Sequence, residues 1–499
     1  MIQRHPLLFA LGLALIVALP TLFLGFWIDD YYHLAILELR DQVEVEIGGP
    51  LDLFYFAPGD PDLMQKALDT RPLPWFTLPE LHLHFFRPLT SGLFSLEHAV
   101  WGLWPLPYHI HSVLWYLLLV CAVWAIYRRV LPWGVAILAT ALFAIDDVHT
   151  IPVLWIANRN GLLAVTLVLI GFLAHLAWQR EGRRWGLPAS VLCYALGLCA
   201  GEAALGAMAY VAAFELVRSA ERGARNAELR EDATSIAHQR ISSSSPEPRN
   251  PRPALLALLH ATVTVFAYLI FYKLSGYGVS GSGLYLDPLG EPLSFLRVAP
   301  ARILSLIGTQ VLAFPSEISI GDPRLILVSA AAGITAIALV MWLLARVWTH
   351  LELREKRTLS WLVLGGLLSL LPIAATFPSS RLLMAPSFGF AGAVAMVLWH
   401  GWHERRTWRF PAKAAVFVLA FIHCIAAPGA WWIQTAGLTV ISRYHDRLFE
   451  SAEILDDPAK QRLVYLRAPE PFSAFYATAV RALHGHKMPR STWSLSLSP

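Results

Sequence analysis

Residues 6–33 read PLLFALGLALIVALPTLFLGFWIDDYYH, an apolar run that ends abruptly on two aspartates. A spanning helix needs roughly 20 mostly apolar residues, and positions 6–28 supply them. The run is longer than the apolar region of a typical signal peptide. No small-x-small cleavage site precedes Asp29, so it reads as an uncleaved signal anchor. Further runs of this kind lie at about 108–127, 131–146, 160–178, 187–201, 203–218, 254–274, 324–347, 359–376, 385–402 and 412–434. In hydrocarbon the backbone must pair within its own element, and no run shows the alternation of a membrane barrel, so these runs are expected to be helices. The predicted fold is all-α: a polytopic bundle of about eleven spans over residues 1–434, with a small extracytoplasmic segment at 435–499. The pair 187–201 and 203–218 is short enough to be a re-entrant hairpin instead. The stretch 299–314 is apolar but reads as too short to span, and is expected at the interface or re-entering.

Composition agrees. The 499 residues are 56% hydrophobic and 15% charged, against about 25% charged in soluble chains. The net charge of +4 is spread unevenly and signals topology rather than a nucleic-acid partner. Basic residues fall in alternate loops: Arg128-Arg129, Arg180 with Arg183-Arg184, the 219–253 loop, Arg354 to Arg357, and Arg405 to Lys413. The positive-inside rule makes these cytoplasmic, with the N-terminus, and leaves the C-terminus outside. The usage of Ala, Leu, Arg and Trp suggests a bacterial inner membrane. Cys121, Cys193, Cys199 and Cys424 lie in apolar runs and show no disulfide or zinc spacing. The 219–253 loop, with four consecutive serines, is polar and is expected to be disordered. Loop 29–107 is rich in Trp, Phe, Leu and Pro and is expected to carry amphipathic helices on the membrane surface.

The same bias puts Asp29-Asp30 and Asp146-Asp147 on one membrane face, each pair near a histidine, His33 or His149. Carboxylates there can act as a general base or as ligands for Mg²⁺ or Mn²⁺, with Asp146, Asp147 and His149 as one such set. They can equally be an interfacial stop beside the aromatic belt of Trp27, Tyr31 and Tyr32. Glu202 lies between two apolar stretches, where an acid is a functional candidate or a hairpin tip. Arg381, Arg87 and Arg159 are permanently charged and can grip two phosphate oxygens at once, or else snorkel.

Several strings resemble a known family. FWIDDYYH at 26–33, FRPLTSGLFSLEHAVWGLWPLPYHIHSVLWYLLL at 86–119 and LFAIDDVHTIPVLWIANRNGLLA at 142–164 are similar to polytopic GT-C glycosyltransferases. They are most like the protein O-mannosyltransferases whose branch carries C-terminal TPR repeats. Glu202 falls where that branch has Lys-Glu, and SSRLLMAPSFGFA at 379–391 resembles its Glu-Arg-…-Pro-Ser-…-Gly-Phe stretch. The chain has Asp146-Asp147 in place of His-Pro and Gly201 in place of Lys, and it lacks the repeats. The resemblance implies inverting sugar transfer from a polyprenyl-phosphate-linked donor to an acceptor protein or glycolipid on the outer face. It implies a catalytic base at Asp30 or Asp29, a second acid at Asp147 or Asp146, and Arg381 on the lipid phosphate. A secondary transporter and a non-catalytic membrane protein are the other readings. Transporters place their ionisable groups near the bilayer midplane within inverted repeats, and neither feature is visible here.

Overall fold

The computed structural model describes the chain apart from residues 1–3, 39–47, 71–76, 236–253, 451–456, 458–459, 467–475, 477–479, 487–490 and 495–499. Its helices are α1 (Pro6–Ala18), α2 (Asp29–Glu38), α3 (Pro61–Thr70), α4 (Pro88–Trp101), α5 (Pro105–Val130) and α6 (Trp133–Ala144). There follow α7 (Thr150–Leu154), α8 (Asn160–Glu181), α9 (Gly186–Ala200), α10 (Ala203–Ser235), α11 (Ala254–Leu274) and α12 (Pro292–Leu312). The last are α13 (Ile318–Gly321), α14 (Ile326–Val347), α15 (Leu353–Ile373), α16 (Met384–His403), α17 (Phe410–Phe421) and α18 (Ala427–Glu450). Prolines open α1, α4, α5 and α12 at positions where the missing N–H has no helical partner.

Among the described residues eight helices are long and apolar enough to cross a membrane, or nine if the pair bent by 45° at Asp146 is one span. The polar contacts sort the bundle into two ends. At the basic end Arg354 bonds the Arg129 carbonyl, Thr358 bonds the Val130 carbonyl, Arg357 pairs with Glu221, and His400 pairs with Glu355. At the acidic end Asp30 bonds Ala157, Asp146 bonds Gln310, and Arg87 pairs with Glu202. The basic loops thus share one end, as the charge pattern predicts. The helices α9, α15 and α16 run between the two ends although they are shorter or more polar than the rest.

Helix α12 departs from expectation. At 21 residues it is long and apolar enough to span, where the apolar stretch 299–314 reads as too short. Arg302 bonds the carbonyls of Ala374 and Leu284, while Gln310 bonds Asp146. It crosses α14 so closely that a Cβ on Gly333 would stand 1.8 Å from the Leu304 carbonyl oxygen. Only glycine permits that approach, the usual device for close helix crossings in lipid.

The 29–107 region holds the expected short helices α2, α3 and α4. It also holds two strands that the sequence did not show, β1 (Tyr55–Pro58) and β2 (His82–His84). With β3 (Gly278–Ser280) they form an antiparallel sheet of order β1-β2-β3 that ties this region to the loop after α11. In the tail, β4 (Arg462–Tyr465) pairs in parallel with β5 (Ser491–Ser494). The boundary expected at 434 falls inside α18. Helix α10 continues to Ser235, and the rest of the 219–253 loop lies outside the described residues.

Candidate functional site

The first aspartate pair does not end a helix. Helix α1 gives way to a 3-10 turn at Leu19–Phe23, and the chain then reverses at Ile28, whose φ is +49°. A β-branched residue in that region is strained, and such strain persists only where the surroundings enforce it. The reversal makes Asp29 and Asp30 the first residues of α2, where negative charge is favoured rather than opposed.

The two carboxylates then diverge. Asp30 is 0% exposed and accepts the backbone N–H of Trp27 at 2.9 Å and of Ala157 at 2.7 Å. It stitches the reversal to the turn that precedes α8. Burial pushes its carboxyl up to about 8, against the pull of those two donors. Asp29 is half-buried and its carboxylate accepts a hydrogen bond from the Tyr476 phenol. Burial raises its carboxyl above the ordinary value, while Tyr476, Arg381 and Arg87 oppose that rise. Of the two acids implied as base, Asp29 is the one with free reach.

The second pair repeats the division in reverse order. Asp146 is 5% exposed, with one oxygen accepting Val148 N–H at 3.3 Å and the other Gln310 Nε2 at 2.9 Å. Asp147 is half-buried, 3.5 Å from Gln434 Nε2, and within Coulombic reach of Glu317. Glu317 is itself pinned by Ser379 Oγ at 3.0 Å and by Ser380 N at 2.5 Å.

Arg381 follows directly on those serines. Its guanidinium lies 5.4 Å from the Trp155 ring centre and 5.3 Å from that of Phe377. Trp155 in turn meets Trp27 edge-on at 5.0 Å, two residues before Asp29. Among the described residues no carboxylate pairs with Arg381, so rings hold it while its charge stays available.

The other candidates are placed differently. Arg159 is a correction: it is 0% exposed, donates to Glu97 and bonds Tyr108 O and Ser112 Oγ at 3.3 Å. Glu97 also takes His111, and the network is internal, out of reach of a donor phosphate. Arg87 bonds Glu202 at 2.9 Å and lies over Phe54 and Phe85, so its charge is already matched. His33 is buried against Phe54 and Phe94, and burial followed by Arg87 brings its imidazole down to about 3.

The suggested cation set does not fit either. Both ring nitrogens of His149 are taken, Nδ1 by Tyr116 Oη at 3.1 Å and Nε2 by Ser387 Oγ at 2.8 Å. Both oxygens of Asp146 are engaged as well. Among the described residues no group of three or more His, Cys, Asp or Glu side chains is disposed to hold a metal.

Residues that the sequence reading passed over are Tyr476, Trp155, Gln434 and Glu317. Trp155 lies inside the quoted 142–164 string, but nothing in the sequence around Tyr476 signals a role.

Part of this chain aligns with each of two curated proteins of Drosophila melanogaster. Protein O-mannosyl-transferase Tmtc1 is 33% identical over 104 residues, 20% of this chain and 12% of the relative. Protein O-mannosyl-transferase Tmtc2 is 30% identical over 141 residues, 27% of this chain and 15% of the relative. The chain is similar to protein O-mannosyl-transferases. The similarity covers less than one-fifth of each relative's length, and no protein-family model matches. Among solved structures, the Archaeoglobus fulgidus oligosaccharyltransferase tethered with an acceptor peptide aligns over 97% of this chain and 64% of its own, at 15% identity and a TM-score of 0.45. ArnT from Cupriavidus metallidurans bound to undecaprenyl phosphate aligns over 98% of this chain and 89% of its own, at 10% identity and a TM-score of 0.41. Both likenesses are loose.

Proposed function

We propose that the protein is a membrane glycosyltransferase that moves a sugar from a polyprenyl-phosphate donor to an acceptor hydroxyl at the acidic end of the bundle. The observation that carries this reading is the pairing of an unneutralised Arg381 with a half-buried Asp29. They are joined through the edge-on contact of Trp155 with Trp27. The local likeness to O-mannosyl-transferases supports the reaction class and favours a hexose such as mannose.

The chemistry is a single displacement with inversion. The acceptor oxygen attacks the anomeric carbon, and the bond from that carbon to the phosphate oxygen breaks. The electron pair leaves with the lipid phosphate, where Arg381 stabilises the added charge. The acceptor proton passes to Asp29, whose raised pKa makes it a stronger base than an ordinary carboxylate. Asp30 acts as a positioning residue by fixing the reversal that presents Asp29, and no step is assigned to a metal. Asp147 and Glu317 line the same end and suit contact with the sugar hydroxyls or the acceptor. By the positive-inside rule this end faces away from the cytoplasm, in a bacterial inner membrane.

The test is sugar transfer from a radiolabelled polyprenyl-phosphate hexose by the purified protein in liposomes, with membrane extract supplying acceptors. Transfer that Asp29→Asn abolishes supports the reading, and no turnover with any hexose donor removes it.

A further inference from the structure

The end of the bundle opposite the carboxylates contains a cavity of about 240 Å³ among α5, α8, α10 and α15. Its wall includes Arg180, Arg218, Arg354 and Arg357, with Glu221 and Trp361. Arg357 Nε lies 3.0 Å from Glu221 Oε1, and Arg218 Nη1 lies 3.4 Å from Glu215 Oε1. Glu215 also binds His175 at 3.0 Å, so its charge is shared.

The other two cations have no such match. Arg354 spends one nitrogen on the Arg129 carbonyl at 2.9 Å, and Arg180 sits over the Phe214 ring at 5.2 Å. Among the described residues neither is paired with a carboxylate. Arg180 lies within Coulombic reach of both Arg218 and Arg354, which outrank the opposing pull of Glu215 and Glu221. Topology alone explains basic residues at this end but does not explain their convergence on a hollow.

We infer that this cavity binds a phosphate-bearing anion, at a site separate from Arg381. The two unmatched guanidiniums complement the charge of a phosphate, and each can donate two parallel hydrogen bonds to its oxygens. The volume is below the roughly 300–1,000 Å³ of pockets for drug-sized ligands, which suits a headgroup or a small phosphate. Arg180 lies in the last turn of α8 and Arg354 in the first turn of α15, the level at which lipid headgroups meet helix ends. A bound anion would relieve the repulsion among the arginines and tie α8, α10 and α15 together.

Delipidated protein in detergent tests this by thermal unfolding. The titrants are phosphatidylglycerol, phosphatidylcholine and inorganic phosphate. The proteins are the wild type, Arg180→Gln/Arg354→Gln, and a control Arg128→Gln/Arg184→Gln of equal charge change. The site predicts that phosphatidylglycerol raises Tm more than phosphatidylcholine does. The half-saturating concentration should rise roughly 10- to 100-fold in the cavity variant and stay unchanged in the control. A rise with phosphatidylglycerol alone assigns the anion to a lipid; a rise with inorganic phosphate at similar concentration assigns it to a soluble phosphate. Should the double variant not fold, each single variant is titrated separately and carries the same expectation. Identical curves for wild type and cavity variants, or no anion that raises Tm, would overturn the inference.

Discussion

Tyr476 donates its phenolic hydrogen bond to Asp29, a residue 447 positions earlier in the chain. The contact brings the C-terminal segment over the candidate site, where Val480 also joins a cluster with Phe26, Tyr31 and Phe94. Tyr476→Phe should therefore alter the chemistry of Asp29 rather than the fold. A hydrogen bond to a charged group contributes about 1.5–3 kcal/mol. Its loss should raise the carboxyl further and move the acid limb of the pH–rate profile upward by roughly 1–2 units. Initial rates across pH would check this, and an unmoved limb would detach Tyr476 from the base.

The adjacent acids should respond in opposite ways. Asp29→Asn should leave thermal stability within about 0.5 kcal/mol of wild type, since a half-buried side chain with one partner is changed conservatively. Asp30→Ala strands the N–H groups of Trp27 and Ala157, at about 1–3 kcal/mol each. Its Tm should fall clearly. Equal effects of the two substitutions on Tm would contradict the division of roles.

Arg381→Gln should lower kcat by about 10²–10³, the usual cost of removing one group that stabilises developing charge. Arg381 also holds the Asp29 carboxyl down, so the acid limb of this variant should sit at higher pH than wild type. Arg381→Lys should recover only part of the rate, because an ammonium reproduces neither the fork geometry nor the same stacking on Trp155. Steady-state rates of both variants, measured over a pH series, are the check.

The network of Arg159, Glu97 and His111 should matter for stability. Arg159→Met removes the guanidinium partner of Glu97 in a site 2% exposed, leaving that carboxylate with His111 alone, and should cost about 3–5 kcal/mol. Burial pushes Glu97 up, but Arg159 and His111 outweigh it and bring the carboxyl below its ordinary 4.5. Its contribution is thus present above the unfolded value and is lost as pH falls through the lower folded value. Thermal unfolding between pH 7 and pH 3 should show that loss in wild type and a shallower slope in Glu97→Gln.

What is legible in the sequence depends on the range over which the determining forces act. The spans and their ends were legible because hydrocarbon length and loop charge act locally. The two Asp-Asp pairs were legible as a shared face for the same reason. Within each pair, however, the choice between locked and free acid depends on long-range partners, such as Ala157 for Asp30 and Gln310 for Asp146. Arg159 looked like Arg381 in sequence, and only the arrival of Glu97 from α4 shows it to be internal. Helix α12 is longer than the apolar stretch 299–314 because it begins at Pro292, and the polar residues of its N-terminal half hide that extension from a reading by hydropathy. The reversal at Ile28 had no local signal, since a β-branched residue at positive φ opposes its own propensity.

The most direct measurement is transfer of label from polyprenyl-phosphate hexose in liposomes by wild type, Asp29→Asn and Arg381→Gln, each at matched folded amount. The account predicts wild-type transfer with release of polyprenyl phosphate, loss of turnover in Asp29→Asn with donor binding kept, and weakened donor binding in Arg381→Gln. Full turnover in Asp29→Asn would contradict it.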